Sequence, residues 1–461
     1  MAPSPTGKLH IGTAHTTLFN FLFAQHTKGD FILRIDDSDP ERSKREFEKD
    51  ILDSLHWLGI YWDEGPDVGG PYKPYRQSER TEIYKKYTQQ LLESKKAYRC
   101  FCSRDELEAK KKEVETKGEK YKYAGTCRLL SEQEIAKNLE KGLPYTIRLA
   151  NPGKIVKFTD MVRGEIAVDS TSFGDFIIVR SDGSALLNFA VVVDDIEMKI
   201  SHAVRGEDFL NATPYQILIF EALQAKPPEI ANLSFIYAPD HTKLSKRHGA
   251  TGISEYREMG YLPEALVNFL AFLGWNPGDD REIFTLEELI SEFDFSKVQK
   301  GAPTFNKVKL DWYNQQYIKA DSEKRLGERL KDFTARSETD IAKVLPLIKE
   351  RLVTLKDFDQ LTEYFFDTPT IEPNLFSKIK VDAKNVLEHA TEILKKCWDG
   401  KVLESEGRKY CEQNGIKVGD YFMILRIALT SKTATPPLWE VMEVLGPEET
   451  LNRLEATRGM V

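Results

Sequence analysis

The sequence predicts an α/β fold built on a doubly wound parallel sheet, followed by a half that is entirely helical. Short apolar runs that suit buried strands alternate with amphipathic helical segments in the first half of the chain. Cysteines, lysines and short strands interrupt this alternation between residues 98 and 194, which indicates an insertion. From about Ser254 onward, helical periodicity takes over.

The first elements of the predicted sheet follow one another near the start of the chain. The stretch "AHTTLFNFLFAQHTKG" has an apolar face through Leu18, Phe19 and Leu22, which predicts a helix. "FILRI" predicts a short buried strand, and "DDSDPERSKREFEKDILDSLHWLG" predicts a second helix. A strand and a helix that alternate in this way form the repeating unit of a parallel sheet.

The sheet is expected to resume after the insertion. "AVVVDD" is the first sheet element there, and the helix "NATPYQILIFEAL" and the strand "LSFIYA" follow it. Further along, "YLPEALVNFLAFLGW" is the clearest amphipathic helix of the last part. These changes of pattern divide the chain into five segments, which are 1–97, 98–194, 195–253, 254–320 and 321–461.

Composition places the chain among ordinary globular proteins, because 41% of its 461 residues are hydrophobic and 30% are charged. The net charge of -8 does not settle whether nucleic acid binds, since local basic patches decide such binding. No apolar run approaches the roughly eighteen residues of a membrane span, and no leader segment is visible. Five cysteines, an odd number, indicate a reducing compartment, so we expect a cytoplasmic protein without a membrane partner.

The loop "APSPTGKLHIG" at residues 2–12 is the first candidate site. A loop rich in glycine and proline before a helix can bring backbone N–H groups close to a phosphate, because the helix N-terminus is electropositive. We expect the helix to start near Gly12, with His10 beside the anion site. The alternative interpretation is a surface histidine in a proline-rich turn.

The second candidate site is "KLSKR" at residues 243–247, a serine flanked by cations in a loop after a predicted strand. Lysine is a mobile point charge, so Lys243 and Lys246 could neutralise the charge that grows on a departing pyrophosphate. The alternative is a solvated basic loop. The two motifs lie at opposite ends of one α/β unit, which favours a shared nucleotide site.

Both motifs resemble the signatures of class I aminoacyl-tRNA synthetases, "HIG" with Thr13 the first and "KLSKR" the second. "APSPTG", "RIDDSD", "YRQSER" and "RGED" resemble the glutamyl-tRNA synthetase family of the bacterial type. The resemblance covers the whole chain, including "GYLPEAL", "FLGW" and "PPLWEVMEVLG". It implies a Rossmann-like catalytic domain in two halves, an inserted domain for the tRNA acceptor end, a stem-contact domain and a helical anticodon-binding domain.

The family's reaction joins glutamate to ATP as glutamyl-adenylate and then transfers the glutamyl group to tRNA, releasing AMP and pyrophosphate. By this resemblance His10 and Gly12 hold the ATP phosphates. Lys243, Ser245 and Lys246 stabilise the transition state together with Mg²⁺. Asp208 and Ile236 belong to the ATP site.

The resemblance also implies a pocket for L-glutamate. Its ammonium group needs a carboxylate and its side chain needs a guanidinium, for which Asp36 and Arg205 are the candidates. Arg205 could instead form an ion pair with Glu207 or Asp208. Further pocket residues implied by the family are Ala2, Ser4, Leu187 and Val191.

Three features of this pocket depart from the family pattern. The family carries an arginine two residues before "APSPTG", whereas here Met1 stands in the intervening position. A late start codon, a fragment or a weakened pocket would each account for this. Asp36 replaces a glutamate and Leu187 replaces a tyrosine. The alternatives are therefore a tRNA-binding paralogue with an impaired glutamate pocket, or an enzyme that also charges tRNA(Gln).

Cys100, Cys102 and Cys127 resemble a structural zinc site found in some family members. Tetrahedral zinc takes four ligands, and Leu129 stands where some relatives place the fourth. Tyr123 is the candidate to replace it, as a tyrosine does in a related tRNA-modifying paralogue. The alternative is three reduced thiols without a metal.

Two further features concern tRNA(Glu), the expected partner. A basic helix is expected in the insertion, where the family meets the acceptor end, and its lysines are Lys110 to Lys112, Lys117, Lys120 and Lys122. A solvated helix face would have the same sequence. Arg351 matches a position that reads the last anticodon base in many members. The helical second half favours this family over glutaminyl-tRNA synthetases, which carry β-barrels there. We expect a monomer.

Overall fold

The computed structural model describes residues 1–119, 121–245, 247, 249, 251–377 and 379–461. The chain forms two compact units, each built from two stretches of sequence. The first unit comprises Met1–Arg257 and Pro263–Lys307, and the second comprises Glu258–Leu262 and Val308–Val461. Among the described residues, no helix has both the length and the apolar character needed to cross a membrane.

The described part of the first unit contains seven strands in two sheets. The strands are β1 (Ala97–Cys100), β2 (Thr146–Leu149), β3 (Ile155–Asp160), β4 (Gly164–Asp169), β5 (Phe176–Val179), β6 (His202–Gly206) and β7 (Glu229–Leu233). One sheet has the antiparallel order β1-β2-β5, and the other has the order β4-β3-β7-β6. Because β6 and β7 are parallel and Gly206 pairs with Leu233, the segments that follow them leave the sheet at the same edge.

Extended segments without regular ladders continue the parallel arrangement. The N–H of Arg34 donates to Met1 O at 2.9 Å, and the N–H of Leu33 donates to Glu64 O at 2.9 Å. The predicted strand "FILRI" therefore pairs on both sides, but only through single bridges. Its partner changes from Glu64 to the segment at Arg76, and this change prevents a continuous ladder on that side.

Ten α-helices belong wholly or mainly to the first unit among the described residues. They are α1 (Ile11–His26), α2 (Arg45–Trp57), α3 (Thr81–Glu93), α4 (Arg104–Thr116), α5 (Glu132–Glu140), α6 (Leu187–Glu197), α7 (Thr213–Ala222), α8 (Ile253–Glu258), α9 (Pro263–Ala271) and α10 (Leu286–Glu292). The helices α3, α6 and α7 share one apolar core, in which Phe189, Val193 and Ile219 are buried. This core supports α6 against the β1-β2-β5 sheet.

The predicted α/β class is confirmed, but two of its strands are wrong. "AVVVDD" lies in α6, where every residue from Phe189 to Asp195 is buried. A helix that is apolar on all sides has the same residue pattern as a buried strand, which explains the error. The predicted boundary after Asp194 consequently falls inside α6. The strand predicted at "LSFIYA" lies earlier, because β7 ends at Leu233.

The second unit is helical throughout its described residues, as predicted. Its helices are α11 (Lys307–Ala320), α12 (Glu323–Leu330), α13 (Glu338–Ile348), α14 (Phe358–Phe366), α15 (Ala383–Lys396), α16 (Gly400–Asn414), α17 (Val418–Thr430), α18 (Leu438–Leu445) and α19 (Pro447–Arg458). The helices α15 to α19 share a core around Leu387, Tyr421 and Leu425. Arg453 is buried and donates to the backbone oxygens of Tyr364 and Leu429, so it joins α19 to two neighbouring helices.

Candidate active site

A cavity of about 790 Å³ lies where the segments after β6 and β7 leave the sheet. The opening loop, the start of α1 and the extended segment 32–36 complete its wall. The structure brings most of the predicted ATP and glutamate residues to this wall, namely Ala2, Ser4, His10, Gly12, Asp36, Val191, Arg205, Asp208, Ile236, Lys243 and Ser245. Lys246 lies outside the described residues.

His10 caps the N-terminus of α1. Its Nδ1 accepts the backbone N–H of Thr13 at 3.3 Å, and its Nε2 lies 3.0 Å from the Thr13 hydroxyl. Because Nδ1 accepts a hydrogen bond, we assign the proton of the neutral ring to Nε2. Burial lowers the pKa of His10, the charge of Lys243 lowers it further, and Asp208 opposes both. A neutral His10 thus lies within electrostatic reach of Lys243 and Asp208.

Backbone pairing joins the two predicted signatures. The N–H of Ile11 donates to Thr251 O at 2.9 Å, so the opening loop is hydrogen-bonded to the segment that follows "KLSKR". The N–H of Leu244 donates to Ile236 O at 3.1 Å and returns the same loop to the segment after β7. These bonds place Lys243 on the wall that the opening loop also lines.

Gly12 provides the space for the His10 ring. A Cβ atom at residue 12 would lie 3.2 Å from both Cε1 and Nδ1 of that ring, which is closer than ordinary packing allows. We therefore expect Gly12→Ala to displace His10. In the reaction that the resemblance implies, it should lower kcat for glutamate-dependent ATP–pyrophosphate exchange by about 10- to 100-fold, because small misplacements of reacting groups have effects of that size. Gly301→Ala is the matched control, since nothing lies within 4 Å of its added Cβ. Equal rates for the two variants would contradict the prediction.

Arg205 lies near the end of β6 and presents an unsatisfied donor. One Nη donates to Gln216 Oε1, whereas the buried Nε has no hydrogen-bond partner among the described residues. The alternative ion pair is not formed, since Glu207 binds Arg163 at 3.2 Å instead. A half-buried guanidinium whose buried Nε–H has no partner beside a cavity is suited to binding a carboxylate.

Asp36 belongs to a buried group of charges at the wall of the same cavity. The Nε of Arg34 donates to Asp36 at 2.8 Å, and an Nη of Arg34 donates to Asp195 at 3.0 Å. Asp194 lies 3.5 Å from Arg34 and accepts a 2.6 Å hydrogen bond from Arg80. Two guanidinium groups thus share three carboxylates, and the charge of nearby Arg205 also acts on one of them, Asp195.

The environment of Asp36 also affects its protonation. Burial raises the pKa of Asp36 to about 6, although the Arg34 guanidinium works in the opposite direction. At neutral pH the carboxylate is therefore charged but costly to keep buried. A bound ammonium group would relieve this cost.

Arg34 and Asp195 line the cavity, yet the sequence analysis does not single them out. A signal for Arg34 was present, because residues two apart in an extended segment share a face and Arg34 precedes Asp36 by two. The signal for Asp195 was the pair of aspartates that directly follows the valine run. This signal was hidden because the valine run was predicted to be a strand, whereas it lies in α6.

Leu187 is not among the residues that line the cavity. It is the first residue of α6, and it is 40% exposed. Val191, one helical turn further on, does line the cavity. In this structure α6 therefore reaches the pocket through Val191 rather than through its first residue.

The three predicted cysteines and Tyr123 converge at one place. The sulfur atoms of Cys100, Cys102 and Cys127 lie within 4.8 Å of one another. The Tyr123 hydroxyl lies 3.3 Å from the sulfur of Cys100 and 3.5 Å from that of Cys102. Leu129 is 88% exposed. Three sulfurs and one phenol oxygen therefore form a compact set of donors.

The predicted tRNA-contact residues lie on exposed surfaces. The basic segment forms α4 over Arg104–Thr116, so Lys117 and Lys122 fall outside the helix, and Lys120 lies outside the described residues. In the second unit, Arg351 is exposed in the turn after α13, and one Nη donates to Thr435 O at 2.7 Å.

Comparisons with known proteins assign the chain to a family. Residues 1–312 match the family "tRNA synthetases class I (E and Q), catalytic domain", and residues 325–458 match the family "Anticodon binding domain". The chain is 44% identical to a glutamate–tRNA ligase of Carboxydothermus hydrogenoformans and 42% identical to one of Symbiobacterium thermophilum. Each alignment covers 98% of both chains.

A solved structure agrees with these relatives. The crystal structure of a glutamate tRNA ligase from Elizabethkingia meningosepticum, in complex with its amino acid, superimposes with a TM-score of 0.91 at 35% identity and covers 99% of this chain and 98% of its own. A second, from Elizabethkingia anophelis, has a TM-score of 0.89 at 36% identity with the same coverage. The sequence resemblance is thereby confirmed, and the chain belongs to the glutamate–tRNA ligase family of class I tRNA synthetases.

Proposed function

We propose that this chain joins L-glutamate to tRNA(Glu) with ATP, through glutamyl-adenylate, and that the cavity described above is the site of both steps. The observation that carries the proposal is the meeting, on one wall, of neutral His10, the Lys243 cation and a half-buried Arg205 whose Nε–H has no partner among the described residues. Each of these groups complements a different part of the two substrates.

In the first step the α-carboxylate of glutamate attacks the α-phosphate of ATP. A bond forms between the carboxylate oxygen and phosphorus, the α–β phosphoanhydride bond breaks, and pyrophosphate leaves. His10 donates from Nε2 to a phosphate oxygen at the N-terminus of α1, while Lys243 and Ser245 approach the departing phosphates from the opposite loop. Mg²⁺ carried with ATP supplies further charge neutralisation. The role of Lys246 in this step stays a prediction from the sequence.

In the second step a hydroxyl of the terminal ribose of tRNA attacks the acyl carbon. The acyl–phosphate bond breaks, AMP leaves, and the hydroxyl proton passes to a phosphate oxygen of the departing AMP. No side chain forms a covalent intermediate in either step, so the protein acts by orientation and charge stabilisation.

The pocket orients glutamate by its two ends. Arg205 binds the side-chain carboxylate through its Nε–H, and the carboxylates of Asp36 and Asp195 hold the ammonium group. Ala2 and Ser4 line the space between them. A side chain without a negative charge would leave Arg205 buried and unpaired, and this selects glutamate over glutamine.

For the tRNA we propose that α4 and the lysines after it meet the acceptor end and that Arg351 reads the anticodon. The alternative for specificity is an enzyme that charges tRNA(Gln) in addition. The proposed state is a monomer in the cytoplasm, where ATP, glutamate and tRNA occur together. The division into five domains stays a prediction from the sequence.

Glutamate- and tRNA-dependent ATP–pyrophosphate exchange by the full chain tests the proposal. We expect exchange with glutamate and none with glutamine or aspartate. Charging of purified tRNA(Glu) and tRNA(Gln) then separates a discriminating enzyme from one that accepts both. A chain that binds tRNA(Glu) but supports no exchange would be a binding paralogue and would contradict the proposal.

We further propose that Cys100, Cys102, Tyr123 and Cys127 hold a structural zinc ion. Four ligands at about 2.3 Å from a tetrahedral zinc place sulfur atoms about 3.8 Å apart, and the observed separations fit with small adjustments. The alternative is a cluster of three reduced thiols.

Metal analysis checks the zinc proposal. We expect about one zinc per chain in the purified protein, and a strong loss in Cys102→Ser and a weaker one in Tyr123→Phe, because thiolate and phenolate ligands contribute directly. Cys397→Ser is the matched control, since Cys397 is an exposed free cysteine elsewhere. Absence of zinc from the wild-type chain, together with no Co²⁺–thiolate absorption after reconstitution, would support the reduced thiols.

A further inference from the structure

The Lys243 ammonium group lies over the face of a cavity-lining aromatic ring. Its Nζ is 3.7 Å from the centroid of Phe235, well within the roughly 6 Å limit of a cation–π contact. Lys243 is exposed, and among the described residues no carboxylate lies within ion-pair distance of it. The ring is thus the group that fixes where this cation rests.

The backbone holds Phe235 in place. Its N–H donates to Glu207 Oε2 at 3.3 Å, and Glu207 is itself bound to Arg163 at 3.2 Å. On the other side, Tyr237 forms an antiparallel bridge with Lys243, so the two partners belong to one hairpin. The ring and the ammonium group are therefore positioned by the same short piece of structure.

An aromatic face differs from a carboxylate as a partner for this lysine. A carboxylate would cancel the positive charge and compete with a phosphate, whereas the ring quadrupole attracts the ammonium group and leaves its charge available. A lysine on a flexible stem also loses much rotamer freedom when it is ordered, and a ring that holds it before the reaction reduces that loss.

We propose that Phe235 is a positioning residue for adenylate formation, which holds Lys243 at the cavity wall so that its charge meets the departing pyrophosphate. The inference rests on the proposed role of Lys243 in that step. The inference adds that the Phe235 side chain acts through Lys243 rather than through direct contact with the nucleotide.

Graded fluorination of Phe235 tests the contact without changing its shape. Each fluorine withdraws electron density from the ring face and weakens its attraction for a cation. We expect log kcat of ATP–pyrophosphate exchange to fall in steps from phenylalanine through its mono-, di- and trifluoro forms, while KM for glutamate stays constant. The same series at Phe284, whose ring lies 4.8 Å from Arg281 away from the cavity lining, is the control and should leave kcat unchanged.

Substitution of Phe235 by other standard amino acids supplies a second test. Phe235→Leu should lower kcat by roughly 3- to 30-fold, the range expected for cation–π contacts, whereas Phe235→Trp should retain most activity. In a double-mutant cycle, Phe235→Leu should cost little further activity once Lys243→Met is present.

The outcomes separate the two claims. If Lys243→Met leaves kcat unchanged, the proposed role of the lysine fails and the inference fails with it. If Lys243→Met lowers kcat but the effect of Phe235→Leu adds to it independently, or fluorination leaves kcat flat, only the inference is overturned. The ring would then contact the nucleotide directly.

Discussion

Replacing Arg205 by methionine is expected to lower kcat/KM for glutamate by roughly 30- to 5,000-fold. Removal of one partner of a buried charge pair costs about 2–5 kcal/mol, and this range corresponds to the stated loss. KM for ATP should change little, because the charge of Arg205 is coupled to Asp195 of the proposed glutamate pocket. Steady-state ATP–pyrophosphate exchange at varied glutamate concentration measures both quantities.

The same substitution should leave the free energy of unfolding unchanged or raise it. The Arg205 side chain is half-buried, and its buried Nε lacks a hydrogen-bond partner among the described residues. Burial accordingly lowers its pKa. Apolar replacement of such a group removes a desolvation cost. Arg205→Lys, the matched control, keeps the charge but loses the planar fork, and should lose about 10- to 200-fold. Parallel losses of activity and stability in Arg205→Met would indicate a structural arginine instead.

The two signature motifs could be predicted from sequence because their chemistry is local. His10 and Gly12 lie within one turn of the N-terminus of α1, and Lys243 and Ser245 belong to one loop. A few consecutive residues therefore suffice to predict the helix start, the glycine and the cations. What remained for the structure was the pairing of Ile11 with Thr251, which joins the motifs across the chain.

The amino-acid pocket was harder to predict, since its charges are shared between distant segments. Arg34 and Asp195 are separated by more than a hundred residues in sequence and meet only because α6 lies beside the extended segment at 32–36. Periodicity cannot place such a pair. Periodicity also gave the wrong secondary structure for α6, because three consecutive buried valines suit a strand as well as a fully buried helix.

Arg34→Met is expected to lower the free energy of unfolding by about 3–5 kcal/mol at neutral pH, since it leaves buried carboxylates without their partner. Arg34 is 5% exposed and contacts Asp36, Asp194 and Asp195. After the substitution Arg80 still binds Asp194, but the other two carboxylates lose their guanidinium. Urea unfolding of the full chain, compared at several pH values, measures the loss.

The pH dependence of this loss distinguishes charge from packing. Burial already raises the pKa of Asp36 to about 6, and removal of Arg34 takes away the group that lowers it, so the pKa rises further. Carboxylates with raised pKa values bind protons in the folded state at a higher pH than in the unfolded state, so stability is lost as pH rises through the folded pKa. The difference between wild type and Arg34→Met should therefore be largest near about pH 8 and shrink toward about pH 5. Arg34→Lys keeps the charge and should show a smaller difference at every pH, whereas a loss of equal size throughout would mean that Arg34 stabilises the fold by packing alone.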